Sequence, residues 1–322
     1  MKKKNSILTL ILIIMSVVLV LSGCKKKEDP VESPNPESPV EEPVGEVNED
    51  EKAAIMDDFD LLIKDKPEPE KIVDYVNQNI KKVDQLEGDR MIDELEKSLE
   101  ANIENLTNTI FATDKNNELM EIAGLEAYFP EAKIEEIKNS DLKEEITKTY
   151  DNMYKLVNLE GEFYPIIDYA KLKTYNNNIT DEWKEDVAVR AMDSDEIPFA
   201  DGSMRISFEE LANRLLKTEN FLNKYVAGPR QDEMTGLYEI KLNAYLKGLP
   251  NTPIADSSSK TISEEVMKSY ESTSNMEGYI TAHLTYQYIE TIKANNSKID
   301  NAVLEKADEL ITEAVRMLVE YK

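Results

Sequence analysis

The 322 residues offer few kinds of side chain able to attack, ionise or ligate. The one histidine, His283, shares a helical face with Tyr279 and Tyr286, and no neighbour supplies the nucleophile or carboxylate that a catalytic imidazole needs. Two S-x-x-K tetrads, Ser140…Lys143 and Ser257…Lys260, set a serine near a lysine. Neither K-T-G nor S-D-N accompanies them, and G-x-S-x-G is absent. Adjacent carboxylates (Glu135-Glu136, Glu144-Glu145, Glu209-Glu210, Glu264-Glu265) could supply the acid and base of a glycosidase. Among 65 acidic residues such pairs read first as solvated helix faces and caps.

Two constellations in the middle of the chain hold more. Phe163, Tyr164 and Tyr169 gather around Pro165, with Trp183 on the helix that follows. Tyr and Trp are favoured contact residues, so these four make a candidate groove for a ligand or partner. The bland alternative is a core that joins two helical parts. The acidic stretch 193–202 makes Asp193, Asp195 and Asp201 weak candidates for a cation site. Counted from Asp193, Ile197 and Pro198 occupy the fifth and sixth places, which breaks the EF-hand pattern. No cofactor is expected from these residues.

The elements that must position these residues are helices. Met91, Ile92, Leu95, Leu99, Ile103, Leu106 and Ile110 recur three or four apart, which predicts one long amphipathic helix. Ile72, Val73, Val76, Ile80 and Val83 predict another before it, opened by Pro67 and Pro69 and closed near Gly88. A third stripe runs from Leu142 through Ile146, Tyr150, Met153, Tyr154 and Val157, with Asp141…Glu144 as a capping-box candidate. Ser207…Glu210 opens a helix carrying Leu211, Leu215, Phe221 and Leu222. The next starts after Pro229 and stops at Gly248, Thr261…Glu264 caps another, and two more cover 277–295 and 300–321. The nearest approach to a strand is the short segment 204–208. The expected fold class is all-α, an irregular helical bundle or stacked helical hairpins. A boundary near Glu160-Gly161 separates parts 53–160 and 161–322, unless both form one domain.

Within 211–248, the run Phe221-Leu222-Asn223-Lys224-Tyr225, then Pro229-Arg230 and a second helix, resembles the hairpin junction of tetratricopeptide-like lipoproteins. The 34-residue recurrence of true repeat arrays is missing.

Composition excludes several classes. A formal charge of −27 argues against nucleic acid as a partner, because phosphate binding needs a basic face. A single cysteine excludes an internal disulfide framework, and only 10 glycines weigh against Rossmann and P-loop enzymes.

The N-terminus supplies the strongest motif. Lys2, Lys3 and Lys4 precede an uncharged apolar run from Ile7 to Leu21, the layout of a signal peptide over residues 1–23. Leu21-Ser22-Gly23-Cys24 resembles the lipobox of bacterial lipoprotein precursors. The resemblance implies diacylglycerol on the Cys24 thiol, cleavage before it, and a membrane-anchored mature chain. Residues 24–52 then read as a disordered stalk, with five prolines, ten carboxylates and no aromatic residue after Cys24. The high Lys, Asn and Ile content resembles lipoproteins of low-GC Gram-positive bacteria, which implies the extracytoplasmic face of the cell membrane.

The expected function is non-enzymatic display of an acidic helical domain, for binding or scaffolding with an unidentified envelope protein or ligand. The alternatives are an envelope hydrolase using a carboxylate pair and a transporter-associated solute-binding lipoprotein.

Overall fold

In the computed structural model the described residues are 48–112 and 115–320. Cys24, the signal peptide and the stalk up to residue 47 lie outside them. Among the described residues no helix is long and apolar enough to cross a membrane.

The fold is all-α, with short antiparallel strand pairs. Helix α1 (Glu49–Lys64) opens on Asn48, whose side chain accepts from the Glu51 amide, so residues 48–52 belong to a helix start and not to the stalk. Helix α2 (Pro69–Asn79) begins on a proline, a residue suited to that position because its missing N–H needs no partner there. Helix α3 (Gln85–Phe111) is capped by Asp84, with Glu87 reciprocating as a capping box. Gly88, expected to end the preceding helix, therefore lies in the first turns of α3. The chain breaks earlier, through a 3₁₀ turn at Ile80–Lys82. Helices α4 (Lys115–Ala123) and α5 (Ser140–Asp151) follow. Asn139, not Asp141, caps α5 by accepting from the amides of Asp141 and Leu142.

The third stripe does not continue as helix. Met153 takes a positive φ of 66°, and the chain enters a hairpin of β1 (Tyr154–Leu159) and β2 (Glu162–Ile167). Its two-residue loop, Glu160-Gly161, has positive φ at both positions, which matches the twist of the flanking strands. The expected boundary at 160 is thus a hairpin tip.

Pleating sends alternate residues of this hairpin into two cores. Tyr154, Leu156, Phe163 and Ile167 pack with α1 to α5, around Phe59, Val76, Leu95 and Ile146. Val157, Leu159 and Ile166 pack into the second core. Helix α6 (Tyr169–Leu172) and a 3₁₀ turn lead to α7 (Asp181–Asp195), which also serves both cores: Trp183, Val187 and Ala191 join the first, Val189 the second.

The second core belongs to α8 (Phe208–Lys224), α9 (Gln231–Lys247), α10 (Glu264–Ser274), α11 (Ile280–Ala294) and α12 (Asn301–Glu320). Ser207 caps α8, and Gly248 ends α9 at φ 71°, both as expected. Ser263, not Thr261, caps α10. Two minor pairs, β3 (Phe199–Ala200) with β4 (Ser203–Met204) and β5 (Gly248–Leu249) with β6 (Thr252–Pro253), clasp each other where the Met204 amide donates to Thr252 Oγ1 and the Asn251 amide to the Gly202 carbonyl.

Candidate functional site

The four aromatic candidates do not line one open groove. Phe163 is fully buried, edge-on to Phe129, and its backbone exchanges two hydrogen bonds with the Asn116 carboxamide. Tyr164 points the other way from the strand, and its ring packs tilted against Phe111, 4.9 Å between centroids. Tyr169 and Trp183 are buried too, and both reach the same feature: a cluster of charges between the two cores, buried at Glu96, Asp186, Arg190 and Arg230 and open to solvent at Glu233.

Four helices, and the residue that precedes the last of them, build that cluster. Helix α3 supplies Asp93, Glu96 and Glu100, three and four residues apart on one face. Helix α7 supplies Asp186 and Arg190, α6 the Tyr169 hydroxyl, and the start of α9 Arg230 and Glu233. The Arg230 guanidinium contacts Glu96 at 2.7 Å, Asp186 at 3.1 Å and Glu233 at 2.7 Å, with Asp93 at 3.7 Å. Arg190 contacts Asp186 at 3.1 Å, Glu96 at 3.3 Å and Glu233 at 2.8 Å. Tyr169 donates to Glu96 at 2.5 Å. Planar five-donor forks suit this role, since each guanidinium must serve several carboxylates at once. Glu100 stands apart, with no hydrogen-bond or ion-pair partner among the described residues. Burial, reinforced by Glu96 and Glu233 against the partial relief of Arg190 and Arg230, pushes its carboxyl up to about 7. Burial also raises Glu233.

A second charge cluster lies one helical turn further along α7. Asp193 is held by Arg214 of α8 at 3.1 Å and by Lys241 of α9 at 3.0 Å, the latter an ion pair off the hydrogen-bonding direction. Burial pushes Asp193 up to about 6 and lowers Lys241. Asp195 meanwhile pairs with Lys155 at 2.9 Å, and Asp201 in the β3–β4 turn pairs with Arg205 at 2.9 Å. The three aspartates therefore face separate cations, and two of them sit in the last turn of α7, not in a loop. Among the described residues no group of three or more His, Cys, Asp or Glu is placed to hold a metal ion. His283 is exposed, with Nε2 2.9 Å from the Gln287 amide nitrogen.

Sequence reasoning missed Arg190, Arg214 and Arg230. One signal was available: the chain has six arginines against 32 lysines, and these three are at most 7% exposed. Where lysine dominates a surface, the rarer arginine is the residue to suspect inside.

Surface hollows are the remaining candidates. One, about 390 Å³, opens at the α1–α2 elbow, lined by Ile63, Pro67, Pro69 and Ile72 opposite Lys97 and Ala101 on α3. A smaller hollow of about 140 Å³ shares Glu68, Pro69 and Asn102 with it and extends along α3 to Asn105, Asn152 and Lys148. A third, about 270 Å³, lies between Phe199, Ile240 and Leu249, with Glu239 and Asn243 in its lining.

No family model matches the chain, and no curated protein or solved structure matches it significantly.

Proposed function

We propose that this chain is a lipid-anchored protein of the extracytoplasmic membrane face, displaying its acidic helical domain to bind a partner or ligand of the cell envelope. Diacylglycerol on Cys24 anchors it, two acyl chains holding stably where one is marginal. The acidic, Pro-rich run that follows leads directly into the Asn48 cap of α1 and acts as the spacer.

The observation that carries the binding part is the pair of adjoining hollows along α3. The larger is within the range of roughly 300–1,000 Å³ common to ligand sites, and mixes apolar walls with a few polar groups. The larger hollow adjoins the charge cluster, since Lys97 in its lining pairs with Asp93 at 2.7 Å. The carboxylates with raised proton affinity, Asp89, Glu100, Glu182, Asp193 and Glu233, line none of the three hollows, which favours binding over carboxylate-pair hydrolysis.

Photo-crosslinking in intact cells tests this. A crosslinker replacing Asn102 should capture a specific partner, while one replacing Glu305 on α12 should not. Cys24→Ala should release the protein from membranes. Identical adducts from both positions would overturn the binding reading, and membrane retention of Cys24→Ala the anchoring reading.

A further inference from the structure

The two adjoining hollows along α3 share Glu68, Pro69 and Asn102, so they form one trough with two unlike ends. At the elbow end Lys97 is taken by Asp93 at 2.7 Å and Glu94 at 2.8 Å, which leaves Lys66 and Glu68, one charge of each sign. Apolar side chains, Ile63, Pro67 and Ile72 among them, make the wall between these charges. The other end is acidic. Glu68, Glu70 and Glu145 line it with no salt bridge or side-chain hydrogen bond among the described residues. Glu68 even holds the N-cap position of α2 without making a cap bond. Lys148, the cation in that lining, is held by Glu144 at 2.6 Å, although Glu70 and Glu145 also act on it.

Where the two ends meet, carboxamides replace charge. Asn105 donates to Asn102 Oδ1 at 3.2 Å, and Asn102 is bonded to the Tyr154 hydroxyl. The Asn105 oxygen and the whole Asn152 carboxamide keep no partner among the described residues. A carboxamide donates and accepts at once, which is what a peptide group offers in return. Phosphate and other anions would meet like charge at the acidic end. A glycan without an amine would leave the three carboxylates unanswered. A bare metal ion has no site, because among the described residues no three such ligands are placed to hold one.

Resting on the binding proposed for these hollows, we infer that their occupant is an extended peptide segment carrying an apolar side chain and, two residues along, a Lys or Arg. The apolar side chain fills the elbow, the main chain pairs with Asn105 and Asn152, and the cation lies among Glu68, Glu70 and Glu145. The lengths agree. From Lys97 to Asn105 the helix rises roughly 12 Å, and side chains two residues apart on an extended chain project to the same side about 6.6 Å apart.

An array of capped pentapeptides, Ala-X-Ala-Z-Ala with X and Z varied over all amino acids, is probed with the full-length protein. Binding should be strongest for Leu, Ile, Val or Met at X with Lys or Arg at Z, and about tenfold weaker with Glu at Z. Joint replacement by Glu68→Gln, Glu70→Gln and Glu145→Gln should remove the preference at Z and keep that at X, and Glu70→Gln alone should remove part of it. Ala101→Trp, at an exposed position of the elbow wall, should do the reverse. Circular dichroism of these variants should match wild type. The inference is overturned if no peptide binds, if Z shows no preference for a cation, or if the triple variant keeps that preference. Should any of these occur while the Asn102 crosslinker still captures a specific partner in cells, the hollows bind something of other chemistry. Loss of that crosslink removes the site itself, and this occupant with it.

Discussion

Arg230 covers the face of Trp183 while its guanidinium reaches Glu96, a residue 134 positions earlier in the chain. One side chain thus joins the loop before α9 to α3 and α7, and holds the second core against the first. Cation–π contact adds about 2 kcal/mol or more where water is excluded, but the larger stake is the charge left behind if Arg230 is removed.

Arg230→Ala should therefore destabilise the protein by about 3–5 kcal/mol, because Glu96 and Asp186 would stay buried without their partner. Arg230→Lys should recover only part of this, since one ammonium cannot match three carboxylates with a planar fork. Urea unfolding followed by circular dichroism measures both. Wild-type stability in Arg230→Lys would show that geometry at this site is irrelevant.

Helix propensity and packing make opposite forecasts at Gly88. Alanine is favoured over glycine inside a helix by about 1 kcal/mol. A Cβ at this position, however, would run into the backbone carbonyl of Asn178, in the 3₁₀ turn packed against α3. Overpacking costs of about 1–3 kcal/mol win where the obstructing atom is backbone. Gly88→Ala should lower the melting temperature, and a rise would refute the close approach.

Glu219 is fully buried at the start of α11, where its carboxylate accepts from the amides of Ile280 and Thr281 and from the Thr281 hydroxyl. A carboxylate from α8 therefore caps the N-terminus of α11, where an anion is also favoured by the helix dipole. Glu219→Ala should cost about 2–3 kcal/mol and speed hydrogen exchange at 280 and 281 before the rest of α11. Uniform exchange across the helix would contradict a local cap.

The Asp193–Lys241 pair should behave as a unit. Each single substitution, Asp193→Asn or Lys241→Met, leaves a charge in the second core with fewer partners. The double variant removes both charges and should lie closer to wild type than the sum of the singles, with a coupling of about 0.5–3 kcal/mol. Strict additivity in denaturant unfolding would mean the two side chains do not share one site.

Stability should also depend on pH through Glu100. Its proton is held to about pH 7 in the folded chain and released near the ordinary glutamate value when unfolded. The folded state thus binds more protons between those values, so this group makes stability fall as pH rises from about 4.5 to 7. Denaturant midpoints across that window should fall less steeply in Glu100→Gln than in wild type.

The helical class was legible because α3, α8 and α12 each bury one stripe and expose the rest, the pattern a 3.6-residue period writes into a sequence. The hairpin was not legible because α–core layers cover both of its faces. Leu156 and Val157 enter opposite cores, so the strand shows no polar alternation. Its loop, Glu160-Gly161, lacks the Asn-Gly or Asp-Gly pair that would have marked it.

For the site, the sequence by itself determined which residues were scarce or conspicuous: Cys24 beside an apolar run, the aromatic run at 163–183, and the acidity of the whole. Only the tertiary structure decided which charges are buried. Asp186 meets Arg230 across 44 positions, and Glu96 meets Tyr169 across 73. Local pattern cannot select those partners from 65 carboxylates, because a charge acts over a few ångströms of space and spacing along the chain says nothing of who arrives there. Folding made Tyr169 and Trp183 walls of an ionic junction, and left the hollows along α3 at the surface.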